Sequence, residues 1–342
     1  MSPARKILVI AVTLAALIGL NYIFEYGFGD FYINPYYARI INLIGINITL
    51  AVSLNLINGM AGQFSIGHAG FMAVGGYTAT YLTVYHGRQI AEAFGRTVTD
   101  PVGASIVMVP SLLAGALSAA AAGLMVGIPS LRLKGDYLAI VTLGFSEIIR
   151  VIILNIPAVG GATGFTDAIP ITNFFWIFLV AILTIVITRN IATSTFGRAL
   201  FAIRSDEIAA EAMGIDTTRY KVMAFVISAA LAGVAGGLSG QLFANPLNPQ
   251  NLNFVRSIEV IVMIVLGGIG SITGAVVGAT TLTILPEALR SFDQQFPGLR
   301  MVIYALLLIL LMIFRPQGLL GRRELNLRWL RRRQKGDGSV LA

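Results

Sequence analysis

The side chains able to do covalent or metal chemistry are few and badly spaced for it. The 342 residues include no Cys and two His, His68 and His86, which rules out thiolate and disulfide chemistry and leaves too few imidazoles for a histidine zinc site. A nucleotide-hydrolysing P-loop ends in Gly-Lys-Ser/Thr, whereas Lys6, Lys134, Lys221 and Lys335 follow Arg, Leu, Tyr and Gln. No cofactor is expected on the chain itself. What remains is hydrogen bonding and ion pairing. Asn55, Asn58, Gln63, Ser65 and His68 fall in one run of small residues, Asn55-Leu-Ile-Asn-Gly-Met-Ala-Gly-Gln-Phe-Ser-Ile-Gly-His-Ala-Gly70. Neutral donors and acceptors with space around them suit the lining of a pathway for a polar, net-uncharged solute; they equally suit a tight turn whose side chains satisfy helix ends. Glu147 and Arg150, three residues apart, are spaced to pair on a helix, which lowers the cost of burying either. Thr142 and Glu147 are weaker pathway candidates, and Arg256 with Glu259 repeats the pairing near an expected outer boundary.

The elements that would position these groups are expected to cross a membrane. The chain is 56% hydrophobic and 12% charged, against roughly a quarter charged in a soluble domain. Apolar runs near 7–25, 38–57, 64–85, 104–127, 137–156, 173–189, 221–243, 257–269, 271–286 and 299–314 mostly approach the roughly 20 residues that span a bilayer. The pattern predicts an all-α polytopic membrane protein of about ten transmembrane helices. The eighth and ninth runs are short and Gly-rich, as one broken helix or two short ones would be. Arg5 and Lys6 before an apolar run resemble a signal peptide, but no small-x-small pattern precedes Tyr22, Phe24 and Tyr26, so a retained first span is predicted.

Charge placement agrees. Lys and Arg accumulate in cytoplasmic loops, and most of the 24 fall in alternate segments if both termini are cytoplasmic: 5–6, 132–134, 189–221 and 315–335. Dispersed in this way, the net charge of +8 forms no polar face for nucleic acid. Residues 1–321 then form one transmembrane domain and 322–342 a basic cytoplasmic tail. Tyr22, Phe24, Tyr26, Phe28, Phe31, Tyr32, Tyr36 and Tyr37 crowd the ends of the first two spans, where aromatics favour the interface with lipid headgroups.

Helices in lipid gain little from burying apolar surface against each other, so close approach through small residues must hold them. Gly123 and Gly127, Gly233 and Gly237, Gly236 and Gly240, and Gly270, Gly274 and Gly278 have the four-residue spacing that permits it. The stretch from Leu266 to Gly278 is Gly-rich like residues 55–70, which raises a possible 5+5 inverted repeat with two irregular segments meeting near the midplane.

Between spans six and seven, residues 190–220 form the longest polar interval before the tail. Ser205 can cap a short helix with Asp206 and Glu207 in its first turn, and Gly214 can end it. Ile208, Ala209, Ala212 and Met213 then share one face. Such a helix fits a groove on another protein, or lies on the membrane surface.

Four segments resemble a known family: Ser53 to Phe71, Gly135 to Arg150, Ala202 to Ile215 and Gly267 to Gly278. In this order, over about residues 40–320, they resemble the LivM-type permeases of branched-chain amino acid ABC transporters. The resemblance implies a non-catalytic subunit forming half of a transmembrane pathway, in the inner (cytoplasmic) membrane of a bacterium or archaeon. Its implied partners are a LivH-like second permease, two cytoplasmic ABC ATPases that bind ATP and Mg, and an extracytoplasmic solute-binding protein. It also implies that segment 195–214, with Arg198, Arg204, Ser205, Asp206, Glu207, Ala210, Glu211 and Gly214, receives the ATPase motion. Similar permeases serve urea, short amides or aromatic acids, so urea uptake stands as the second reading. Outside that class, a solute channel or secondary carrier would need no ATPase.

Overall fold

The computed structural model describes residues 3–26, 34–131, 133, 135–166, 168–242, 247–290, 299–315, 317–321 and 324. Over these the chain is helical: α1 (Pro3–Tyr26), α2 (Pro35–Leu54) running into a π turn (Asn55–Met60), α3 (His68–Ala93), α4 (Pro101–Ser130), α5 (Asp136–Leu154), α6 (Phe174–Thr193), α7 (Thr195–Ser205), α8 (Glu207–Ala212), α9 (Thr217–Gly240), α10 (Phe254–Gly267), α11 (Ile272–Ala288) and α12 (Leu299–Phe314). The starts follow local chemistry. Asn34 caps α2 ahead of Pro35, Asn173 accepts from the Trp176 N–H at 3.2 Å, and Asp216 accepts from that of Arg219 at 3.0 Å. Phe28, Phe31, Tyr32, Arg132, Lys134, Arg322, Arg323 and residues 325–342 of the basic tail lie outside the described residues.

Among the described residues, six stretches are long and apolar enough, by length and composition, to cross a membrane: Pro35–Met60, Pro101–Ser130, Asp136–Leu154, Phe174–Thr193, Thr217–Gly240 and Pro249–Gly267. The other expected crossings are real helices of weaker character. The last turns of α3 carry His86, Arg88, Gln89 and Glu92, and α11 and α12 have 17 and 16 residues. The packing is that of a protein in lipid. Large apolar side chains such as Leu117 and Met125 point out, 70% and 75% exposed, while the interior mixes large side chains such as Phe71 and Phe225 with many Gly and Ala.

The expected glycine pairs hold α3, α4 and α9 together. A Cβ on Gly75 would lie 2.2 Å from the Gly233 Cα, one on Gly236 would lie 2.0 Å from the Met72 carbonyl oxygen, and one on Gly123 would lie 2.6 Å from the Ala229 Cβ. No larger residue fits while the backbones stay this close.

The eighth and ninth runs prove to be two separate helices, α10 and α11, turned back on each other. A Cβ on Gly278 would meet the Met263 carbonyl oxygen at 2.0 Å, and the reversal uses Gly268 at φ +120° and Gly270 at φ +93°. The C-terminal strand of chain is strapped to this reversal. Leu319 N–H donates to the Leu266 carbonyl at 2.7 Å, and Glu324 Oε1 accepts from the Ile272 N–H at 2.6 Å, so a residue assigned to the tail caps α11.

One expectation fails. Arg256 and Glu259 are not near an outer boundary. Phe254 N–H, the first of α10, donates to Glu147 Oε1 at 3.1 Å, about midway along α5, and Arg256 Nη2 donates to Asn47 Oδ1 at 2.5 Å, about midway along Pro35–Met60. The approach to α10 has descended into the bundle, pinned where Phe165 and Leu247 exchange backbone hydrogen bonds of 3.1 and 3.2 Å and the Tyr77 hydroxyl donates to the Leu247 carbonyl. From mid-height the 14 residues of α10 cover about 21 Å, enough to reach the reversal but not the ~30 Å of a bilayer core.

Candidate functional site

Three helical turns after α6 the chain makes an elbow. Ser194 caps α7 by accepting from the Gly197 N–H at 3.2 Å, and α7 stops where Asp206 becomes extended at φ −158°. The cap of α8 falls on Asp206, whose Oδ1 accepts from the Ala209 N–H at 3.0 Å, and not on Ser205 as the sequence suggested. Ser205 is the last residue of α7, and its hydroxyl donates back to the Phe201 carbonyl at 2.9 Å. A cap needs the non-helical backbone that Asp206 has. Gly214 ends the elbow as expected, at φ +84°, with Ile215 N–H donating to the Ala210 carbonyl at 3.1 Å.

The elbow is tied down on one side and open on the other. Ala210 is buried; Glu207 Oε2 reaches Lys221 Nζ at 2.6 Å, with the lysine side chain only 3% exposed; and Thr217 Oγ1 donates to Glu211 Oε1 at 2.7 Å. These contacts fix α8 to the foot of α9. Facing away, Ile208 is 74% and Met213 83% exposed, with Ala209 and Ala212 exposed beside them. That is the apolar face read from the sequence. Arg198 is exposed on α7, one turn from Ser194.

Arg204 points the other way, into the bundle. Its Nη1 donates to the Gly59 carbonyl in the π turn. A Cβ on Gly62 would lie 2.7 Å from Arg204 Cγ, and one on Gly270 would lie 2.6 Å from Arg204 Nη1. Gly270 N–H in turn donates to Asn55 Oδ1 at 2.8 Å, so the α2–α3 segment, the α10–α11 reversal and α7 converge on one guanidinium. The two irregular segments do meet, but at the elbow end rather than near mid-height. A cavity of about 870 Å³ opens beside them, bounded by Arg189, Phe201, Arg204, Ile269 and Glu324. Asn55 Nδ2 is buried with no acceptor among the described residues, a cost of ~1–3 kcal/mol in this arrangement.

The remaining polar candidates face inward. Asn55, Asn58, Ser65, His68 and Thr142 are all buried. Asn58 Nδ2 donates to the Ser65 carbonyl and Asn58 Oδ1 accepts from the Ser65 N–H, each at 3.2 Å; His68 Nε2 lies 2.9 Å from Ser53 Oγ; and Thr142 Oγ1 accepts from the Ile66 N–H at 3.1 Å. This is the tight-turn alternative, in which side chains replace the backbone partners that helix ends lack. Gln63 keeps part of its surface, and Glu147 pairs with Arg150 at 2.7 Å with 27% of its side chain exposed. Sequence reasoning passed over Lys221 and Asn47. A lysine starting an apolar run is a detectable signal, since it must find an acceptor; the depth of Asn47 depends on the packing of α10.

A sequence model of the family described as branched-chain amino acid transport system, permease component, matches residues 36–312. The chain belongs to this family. The LivM permease protein of the high-affinity branched-chain amino acid transport system of Salmonella typhimurium is 35% identical over 329 residues, 85% of this chain and 72% of that protein. Its Escherichia coli counterpart is 34% identical over 335 residues, 87% of this chain and 73% of that protein. LivH of the Salmonella system, a second permease protein, is 37% identical over 169 residues, 49% of this chain and 53% of its own length. As a permease component the chain moves a solute and transforms nothing, and its multi-pass helical build is that of an integral membrane protein.

Proposed function

We propose that this chain is one of the two permease subunits of an ATP-driven importer of branched-chain amino acids in the inner membrane of a prokaryote. The family supports the substrate class, and the partial likeness to LivH supports a pathway formed between two related permeases. The observation that carries the mechanism is the elbow. Its exposed Ile208 and Met213 suit a groove on a cytoplasmic ABC ATPase, while Arg204, on the adjoining helix, holds both irregular segments.

Nucleotide-driven closure of two ATPases would shift α7 and α8 as a unit. Arg204 would carry that shift to the π turn and to the α10–α11 reversal, changing which side of the membrane the pathway meets. In this account Arg198, Asp206, Glu211 and Gly214 shape or flank the docking face, Ser205 and Ala210 seat it, and Glu207 anchors it through Lys221. Asn55, Asn58, Ser65, His68 and Thr142 fix the backbone behind the pathway, with Gln63 and Glu147 nearest its surface. An extracytoplasmic binding protein would deliver the solute, and ATP and Mg would bind the ATPases alone. The test is copurification of a tagged chain from its native membrane. Stoichiometric recovery of a second permease and P-loop subunits is expected; recovery of the chain alone, active in solute flux, would support a channel or secondary carrier instead.

A further inference from the structure

We propose that the face shared by α5 and the first turns of α10 is the solute-binding wall of the pathway, with Glu147, Arg150, Arg256 and Glu259 engaging the ammonium and carboxylate of a zwitterionic, aliphatic solute. The proposal rests on the permease reading above and adds to it a site. Ionised groups are rare in this chain, yet two ion pairs gather at mid-height on adjacent elements. Arg150 Nε lies 2.7 Å from Glu147 Oε2, and Arg256 Nη1 lies 2.7 Å from Glu259 Oε2. The pairs are joined through α10, whose first N–H donates to Glu147.

None of the four is sealed inside the chain. The side chains are 27%, 26%, 21% and 48% exposed in the order Glu147, Arg150, Arg256, Glu259. Charge exposed to hydrocarbon at that depth is costly, so this face meets water or another polar surface. The lipid-facing flank of α4 at Leu113, Leu117 and Met125 presents apolar side chains at these positions. The pairs also hold bonding capacity in reserve, since a guanidinium has five N–H donors and a carboxylate about four acceptor sites. Arg256 is braced from behind by Asn47, whose Nδ2 donates to Thr283 Oγ1 at 2.8 Å. Val255 and Ile258, 46% and 42% exposed beside Glu259, offer apolar contact for an aliphatic side chain.

This chain has no cysteine, so an introduced one is its sole thiol, and labelling is read on this chain after its separation from the other subunits. In vesicles holding the complete transporter, Glu259→Cys and, because losing an ion pair could impair folding, Ile258→Cys are exposed to a charged, membrane-impermeant thiol reagent. Both are expected to react, several-fold more slowly with millimolar L-leucine present, while Leu117→Cys reacts only with a hydrophobic maleimide. If both cysteines resist the charged reagent as Leu117→Cys does, or react without leucine protection, the site is rejected. The permease reading survives that result if wild-type vesicles take up leucine with ATP, and falls separately if they do not.

Discussion

The α3–α4–α9 core and the elbow junction are built on opposite physical plans. In the core, backbones meet through Gly75, Gly233, Gly236 and Gly123, with no space for a Cβ and few polar ties. At the junction, three segments far apart in sequence are joined by Arg204 and Asn55, and the Glu207–Lys221 pair marks its border with α9. Interlocked backbones resist sliding; a few directed bonds can be exchanged as a set. The contrast assigns the core the part of a fixed frame and the junction that of the moving piece.

The largest expected effect tests the frame. Gly233→Val puts carbon 2.4 Å from the Ala119 Cβ and 2.6 Å from the Gly115 carbonyl oxygen, with overpacking costs of ~1–3 kcal/mol or more. Monodisperse protein recovered in detergent should fall sharply; normal recovery would show that the core yields. Arg204→Ala, next in size, removes a charged hydrogen bond of ~1.5–3 kcal/mol, so ATP-driven uptake should drop about tenfold or more at unchanged protein level. Equal loss of folded protein would make Arg204 part of the frame.

Smaller changes sharpen the boundary between the two regions. Glu207→Gln leaves the buried Lys221 without its counter-charge, and because Glu207 is 25% exposed the loss should be about 2 kcal/mol, below the 3–5 of a sealed pair. Glu207→Gln with Lys221→Met should recover part of it in thermal unfolding of the detergent-solubilised chain; no recovery would deny the pairing. Asp206→Ala should cost about 1 kcal/mol through the lost cap, seen as faster amide exchange confined to 206–213. Exchange unchanged there would return the cap to Ser205.

Much of the frame, and the outline of the elbow, was legible in the sequence because those signals are local. Span lengths, four-residue glycine spacing, the i, i+3 pairing of Glu147 with Arg150, the apolar face of 208–213 and the stop at Gly214 all follow from helix periodicity. That the two irregular segments meet was legible, but where and through which bonds was not, because those bonds join residues far apart in the chain: Arg204 to Gly59, Gly270 to Asn55, Glu324 to Ile272. The depth of Arg256 escaped for the same reason, since where α10 starts depends on the descent of residues 247–253. Polar residues at 55–68 suited a tight turn and a pathway lining equally, because partners this segment reaches, such as Thr142 for the Ile66 N–H, lie on helices far away in the chain.

The most direct measurement is leucine accumulation in vesicles carrying this chain with its second permease and binding protein, with and without the two ATPases. The account predicts ATP-dependent accumulation with the ATPases, none without them, and loss of accumulation when Ile208 and Met213 are both changed to Asp. Concentrative uptake by vesicles lacking ATPases would contradict it.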